Sequence, residues 1–223
     1  MTKPLDRRTS PEHKALPGRT LLLPLGSFEQ HGPHLPLTTD AVIAAAVCAD
    51  VASVRDVDVA PVLAYGASDE HRGFSGLLSL GTDATAAALT SLLRTALDGW
   101  GRVIVVCAHG GNVDALKTAL ASVGAGPRVQ VWFARDAGGD AHAGVTETSV
   151  VLSIDPSLVD LERYPGAVEL PPDWFERSRA EGVRSVTATG VLGAPSRASA
   201  VYGHDLRRRW CTEVVALVDT GTL

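Results

Sequence analysis

The chain has 223 residues, of which 45% are hydrophobic and 20% charged, and its formal net charge is −5. This length and composition suit one folded globular domain. The acidic balance argues against nucleic-acid binding, which needs clustered Lys and Arg to neutralise phosphates. No run of 18 apolar residues occurs, which argues against a membrane span. The three cysteines are widely spaced and the N-terminus lacks an apolar leader, so we expect a cytoplasmic protein.

The chain begins with polar residues and three prolines, which predict a loosely ordered arm over residues 1–18 and one domain over residues 19–223. The apolar run Thr20–Leu25 predicts a buried strand. Residues 26–39 are rich in Gly, Pro, Thr and His, which indicates a loop. Asp40 follows as the expected N-cap of a helix over residues 41–52.

The alternation of strand and helix continues along the rest of the chain. Further strands are predicted over residues 57–63, 103–108 and 129–133, and further helices over residues 83–100, 113–123, 146–154 and 196–219. This order predicts an α/β fold, a three-layer α/β/α sandwich with a mostly parallel central sheet. Sites in such sheets form at the carboxyl ends of the strands, so the loops that follow the strands should converge there.

The first candidate cluster lies in the loop after the first strand. It contains Glu29 and His31, with Asp40 nine residues further on and His34 between them. Imidazole and carboxylate groups are the ligands that divalent transition metals take, and the two oxygens of one Asp can bridge two ions. The alternative is that Asp40 only caps a helix and Glu29 is a surface charge.

The second candidate cluster, Cys107 to Asn112, directly follows the most apolar strand. His109 stands there before two glycines, which let the backbone turn sharply and let a ligand approach. The alternative is a tight strand-to-helix turn with an incidental histidine. Cys107 lies inside the apolar run, and we interpret it as a buried, inert thiol.

The third candidate cluster spans Asp140 to Ser149, where His142 and Glu147 are five residues apart. One interpretation makes Glu147 a metal ligand and His142 a proton shuttle at the scissile bond. The other makes Glu147 part of a helix cap and His142 an exposed loop residue. His71, in a loop over residues 66–82, either shapes the pocket or lies at the surface. Neither a Gly-x-Ser-x-Gly motif nor a P-loop is present.

Together these segments resemble the creatininase (creatinine amidohydrolase) family. The similarity covers most of residues 23–152 in the family's order, through LPLGSFEQHGPHLPLTTD (23–40), the loop at 66–81, AHGGN (108–112) and DAHAGVTETS (140–149). The resemblance implies the family's fold, a homo-oligomer, and two divalent metal ions per subunit (Fe²⁺, Zn²⁺ or both, with Mn²⁺ as the alternative). The implied ligands are Glu29, His31, Asp40 as the bridge, His109 and Glu147.

The resemblance also implies the remaining roles. His142 matches the family's catalytic histidine, which we expect to donate a proton to the leaving amine after the metals have activated a water. His71, Phe74 and Asn112 are expected at the substrate, with Asn112 and Ser27 also candidates for fixing the ligands.

Two departures from the family pattern bear on the substrate. Creatinine-hydrolysing members carry Glu where this chain has Gly111, and the usual Phe-Pro-Gly-Thr loop is replaced by residues 74–77, FSGL. The motifs are most similar to the branch associated with the mycofactocin system. Its peptidases release a C-terminal dipeptide derived from Val and Tyr from a modified precursor peptide, and they are linked with iron and zinc. The alternatives are a hydrolase of a small cyclic or formyl amide, and a non-catalytic binding protein.

Overall fold

A central sheet of four parallel strands organises the chain in the computed structural model, which describes residues 5–14, 16, 18–124, 126–166 and 168–220. The strands are β1 (Thr20–Leu25), β2 (Asp58–Val59), β3 (Arg102–Cys107) and β4 (Val129–Phe133). Their order across the sheet is β2-β1-β3-β4, and Leu21 stands opposite Val103 in the register of the two central strands. The predicted parallel α/β sheet is confirmed.

Helices cover both faces of this sheet. Within the described residues they are α1 (Ser10–Lys14), α2 (Thr39–Val54), α3 (Gly81–Gly99), α4 (Val113–Val123), α5 (Val145–Ile154), α6 (Trp174–Glu181) and α7 (Ala200–Asp219). Helices α2, α5 and α7 pack on one face, and α3 and α4 pack on the other. The predicted three-layer sandwich is therefore confirmed.

The two hydrophobic cores follow from the alternation of side chains along the strands. Leu22 and Ile104 point to the face of α2, α5 and α7, where they meet Trp210. Leu23 and Val105 point to the opposite face, towards α3 and α4. All six residues of β3 are buried, as expected for a parallel strand covered on both faces.

Three predicted elements differ from the observed ones. The strand expected over residues 57–63 is reduced to β2, because Pro61 has no amide hydrogen to donate to a sheet ladder, and only an isolated bridge joins Leu25 to Leu63. Asp40 does not cap α2, which already begins at Thr39. The helix expected from residue 196 begins at Ala200, because a 3-10 turn at Pro195–Arg197 precedes it and the hydroxyl of Ser199 caps it.

The described part of the expected N-terminal arm contains a 3-10 turn (Leu5–Arg7) and α1. The guanidinium of Arg8 donates to both carboxylate oxygens of buried Asp58, at 2.8 and 2.9 Å. This pair attaches the segment to the edge strand β2. Among the described residues, no helix is both long and apolar enough to span a bilayer.

Candidate metal centre

The segments that follow β1, β3 and β4 at the carboxyl edge of the sheet bring the predicted residues together. The loop after β1 holds Glu29 and His31, and the first turn of α2 holds Asp40. His109 follows β3 by two residues, and the segment after β4 supplies His142 and Glu147, the latter from the first turn of α5. The positions at the ends of neighbouring parallel strands explain why residues so far apart in sequence meet.

Asp40 lies at the middle of the cluster and is 1% exposed. Its Oδ1 is 3.2 Å from Nε2 of His31, and its Oδ2 is 3.3 Å from Nδ1 of His109. Three sets of ligand atoms lie within 4.8 Å of one another and are suited to hold an ion: Glu29–Asp40–His109, His31–Asp40–Glu147 and Glu29–His31–His142. Glu29, His31 and Asp40 each occur in two of these sets, and the two oxygens of Asp40 face His31 and His109, one from each set that contains it.

The cluster concentrates negative charge that the protein does not fully neutralise. The hydroxyl of Ser27 lies 2.6 Å from Glu29 Oε2 and 2.7 Å from Asp40 Oδ2, yet its single proton serves only one of them. The other oxygen of Glu29, Oε1, is buried and accepts no well-aligned hydrogen bond, although Nε2 of His71 lies 3.0 Å away. Buried carboxylate oxygens that lack a hydrogen-bond donor are stabilised by bound cations.

The pKa values of the clustered side chains reflect two opposing effects, burial and the charges of neighbouring groups. Burial acts to lower the pKa of His31, but Asp40 and the other carboxylates outweigh it and raise it to about 9. Burial raises the pKa of Glu147 to about 7. Burial also acts on Asp40, but the surrounding imidazoles hold its pKa well below the ordinary value. Protons here occupy places that divalent ions take in carboxylate–imidazole sites, so the donor set fits such ions.

His142 is buried beside this cluster, with its ring centroid 4.4 Å from that of His31. Its Nε2 donates to the main-chain carbonyl of Gln30 at 2.8 Å, because that oxygen only accepts. Its Nδ1 therefore carries the lone pair and lies 3.7 Å from Glu29 Oε1. Burial, together with the nearby His31 and His71, lowers the pKa of His142 well below its ordinary value. The ring is thus neutral, with its unprotonated Nδ1 on the side of Glu29.

The side chains expected at the substrate occupy different positions. His71 lines the cavity described below but is only 3% exposed. Asn112 is fully buried, where its amide joins two loops by accepting from the Ala67 amide and donating to the Gly26 carbonyl. Asn112 thus has a supporting position. Phe74 is half-buried, and the guanidinium carbon of Arg184 lies over its ring, 5.5 Å from the ring centroid.

Sequence reasoning missed two residues of the site. The side-chain NH₂ group of Gln30 links two parts of the centre, because its two hydrogens are donated to His71 Nδ1 at 2.9 Å and to the carbonyl of Gly190 at 3.1 Å. Glu70 places Oε1 3.4 Å from Nε2 of His109. The sequence offered one indication for each residue, because Gln30 lies between the predicted ligands Glu29 and His31, and Glu70 directly precedes His71.

A cavity of about 740 Å³ opens above the centre, lined by His109, His142 and Glu147. Helix α6 forms another part of its wall through Trp174 and Phe175, whose rings meet edge to face at 5.6 Å. Glu29, His31 and Asp40 lie beneath the surface. A substrate in this cavity therefore meets the cluster at His109, His142 and Glu147.

A parallel α/β/α sandwich with a carboxylate–imidazole cluster at the carboxyl edge of its sheet defines an α/β protein with a candidate metal centre beneath an open cavity. The creatininase family model, described as creatinine amidohydrolase, matches residues 6–218. The chain belongs to this family, as its motifs predict.

Two relatives and one solved structure illustrate the relationship. The mycofactocin precursor peptide peptidase of Mycobacterium ulcerans (strain Agy99) is 44% identical, over 83% of this chain and 78% of that protein. The creatinine amidohydrolase of Pseudomonas putida is 30% identical, over 82% of each chain. A solved structure of a creatininase with Mn has a TM-score of 0.76 and 27% identity, covering 96% of both chains.

Proposed function

We propose that this chain is a two-metal peptidase that cleaves a modified mycofactocin precursor peptide and releases the C-terminal dipeptide derived from Val and Tyr. The observation that carries the proposal is that the two oxygens of buried Asp40 face the histidines of two ligand sets at the base of one cavity. The substrate is supported by the 44% identity to a peptidase of that name.

The residues present define where two divalent ions would be held. Glu29, Asp40 and His109 would hold one ion, and His31, Asp40 and Glu147 the other. When bound, such ions polarise the amide carbonyl and lower the pKa of a water molecule. The oxygen and nitrogen donors suit zinc, iron and manganese, and we propose iron or zinc from the resemblance to the peptidase branch.

His142 moves the proton in this proposal. Its Nδ1 lone pair lies on the side of Glu29, so a water activated at this centre would release its proton towards that nitrogen. The neutral ring takes up that proton at Nδ1 and passes it to the nitrogen of the breaking amide bond, which leaves as an amine. Gln30 keeps the ring in place by accepting from Nε2–H through its carbonyl.

The cavity wall supports a peptide substrate with an aromatic end. Phe175 is 52% exposed, an unusual position for a large apolar ring, and Trp174 lies beside it at the cavity wall. Aromatic rings stack on one another in offset or edge-to-face arrangements. We propose that these two side chains receive the Tyr-derived end of the peptide.

The second candidate function is hydrolysis of a small cyclic amide, which the 30% identity to a creatinine amidohydrolase favours. Its chemistry at the metal centre is the same, and only the cavity distinguishes the two substrates. The proposal further includes a homo-oligomer and a cytoplasmic location. Light scattering during size-exclusion chromatography measures the first, and fractionation of the source cells locates the protein.

The decisive experiment is mass spectrometry of the products. The purified protein is mixed in parallel with the modified precursor peptide, its unmodified form and creatinine, each with and without a chelator. We expect a released dipeptide and a shortened peptide only from the modified substrate and only without chelator. Hydrolysis of creatinine alone would establish the second candidate, and no hydrolysis of any substrate by the metal-loaded protein would leave the binding-protein alternative.

A further inference from the structure

The 3-10 turn Asp69–His71 sends two consecutive side chains to two different ligands of the centre. Glu70 Oε1 lies 3.4 Å from His109 Nε2, and His71 Nε2 lies 3.0 Å from Glu29 Oε1. The turn thus lies directly behind the ligand set Glu29–Asp40–His109. Outer groups in this position commonly decide which ring nitrogen a ligand imidazole offers to a metal.

The tautomer of His109 follows from its neighbours. Its Nε2 is 3.0 Å from the main-chain carbonyl of Ala67, which only accepts, so Nε2 carries the hydrogen. The lone pair of the neutral ring is then on Nδ1, which lies 3.3 Å from Asp40 Oδ2. Glu29 Oε2 lies 3.2 Å from Nε2, and Glu70 Oε1 adds a second negative charge on the Nε2–H side. Its carboxylate therefore favours the tautomer that turns Nδ1 towards the ions.

The same reasoning applies to His71. The side-chain oxygen of Gln30 accepts from the amide of Gly32 at 2.8 Å, which fixes the orientation of the Gln30 amide. Its NH₂ group then donates to His71 Nδ1 at 2.9 Å. The hydrogen of the neutral His71 ring is consequently on Nε2, facing Glu29.

Gly111 is the reason that Glu70 can reach His109. A Cβ atom at position 111 would lie 2.3 Å from Glu70 Oε1 and 2.3 Å from His109 Nε2. Any side chain there would displace the carboxylate from the imidazole. The carboxylate of Glu70, which comes from a different loop, therefore occupies the space beside His109 that a side chain at position 111 would fill.

We propose that Glu70 is a positioning residue of the metal centre, which holds His109 with Nδ1 towards the ions and strengthens it as a ligand. The inference rests on the metal centre of the proposed function. Within the described residues, Glu70 belongs to none of the three ligand sets, which separates it from the ligands themselves. Its side chain lies at the cavity wall, where it is 29% exposed and contacts His109.

The test measures zinc binding to metal-free protein by competition with a chromogenic chelator, for wild type, E70A, E70Q and the control E181Q. Glu181 lines the same cavity but pairs with Arg177. We expect E70A to lower the affinity of one site about 10- to 100-fold, as for other outer-layer partners of ligand histidines. E70Q keeps an accepting oxygen and should lose less, and E181Q should match wild type. All variants should still bind two ions at saturating zinc.

The absorption spectrum of the cobalt-loaded protein gives a second readout, because it reports the ligands' arrangement around the ion. We expect its bands to shift in E70A and to return towards wild type in E70Q, while chemical denaturation of the metal-free variants gives unchanged midpoints. Equal zinc affinity and spectra in E70A and wild type would overturn the role of Glu70. Loss of one whole site at saturation in both Glu70 variants would make it a ligand, which also overturns it.

The outcomes separate this inference from the proposed function. Wild-type protein that binds no zinc or cobalt would remove both. If zinc binds and E70A weakens it, but the modified peptide is not cleaved, only the proposed substrate fails. If the peptide is cleaved and E70A binds zinc as wild type does, only the role of Glu70 fails.

Discussion

Oδ1 of Asp40 lies 3.2 Å from Nε2 of His31, while its other oxygen faces His109. Since two ligand sets share this carboxylate, we predict that D40N loses both ions, whereas H109A loses one. Elemental analysis per chain measures the result, with D50N as the control, because Asp50 lies on the same helix and pairs with Arg207. Retention of two tightly bound ions by D40N would exclude the bridging role.

A substitution at His142 tests whether this residue transfers a proton or binds a metal ion. We predict that H142A keeps its ions and that kcat falls about 10²- to 10⁴-fold, the contribution typical of a positioned acid or base. Steady-state kinetics on the modified peptide and elemental analysis together measure this. H204A is the control, because His204 is exposed on α7. Metal loss in H142A would instead make His142 a ligand in the set with Glu29 and His31.

The neighbouring glycines of the second cluster should differ sharply in their tolerance of a methyl group. A Cβ at position 111 would lie 2.5 Å from the backbone oxygen of Ala67, whereas a Cβ at position 110 meets nothing within 4 Å. We predict that G111A lowers the free energy of unfolding by roughly 1–3 kcal/mol, the usual cost of overpacking. Urea denaturation should show little change in G110A. Equal stability of the two variants would contradict the close approach at Gly111.

Asp58 provides a pH-dependent test of how the N-terminal segment is attached. Burial alone would raise the pKa of Asp58, but hydrogen bonds from Arg8, Trp100 and Arg19 outweigh it and lower the pKa. The folded form therefore gains stability above the unfolded pKa of about 3.9 and loses it as the pH falls through the lower folded-state value. At pH 7 we predict that D58N is less stable by roughly 3–5 kcal/mol, the cost of breaking a buried ion pair.

The sign of this effect is measurable by urea denaturation of D58N and wild type between pH 7 and pH 3.5. The difference in unfolding free energy should stay constant down to about pH 5 and shrink below about pH 4, as the wild-type carboxyl becomes protonated. D56N is the control, because the side chain of Asp56 is 71% exposed and exposed pairs contribute only about 0–1 kcal/mol. A difference that grows on acidification would contradict the assignment.

The sequence predicted what local patterns determine. The apolar runs of β1, β3 and β4 marked buried parallel strands, and the histidine-rich loops after them marked the edge where ligands meet. It did not predict where α2 begins. The first turn of that helix presents Asp40 to His31 and His109, so the residue is a member of the cluster and not a cap.

The contacts that sequence could not predict are those set by the relative placement of loops. Glu70 reaches His109 only because the loop after β2 lies against the turn after β3, and no local pattern reports that distance. His71 was expected at the substrate, yet its ring nitrogens face Gln30 and Glu29. Adjacent residues of one short turn thus acquired different partners through packing.

The hydrogen bond from Gln30 to the carbonyl of Gly190 joins residues separated by 160 positions, and Leu192 pairs with His142 through the backbone. During synthesis on the ribosome, the N-terminal loop with most of the ligands emerges long before these partners exist. The backbone pairing of His142 with Leu192 forms only after residue 192 has been translated. A metal ion bound earlier by the growing chain would therefore meet a cluster whose neighbours Gly190 and Leu192 are not yet in place.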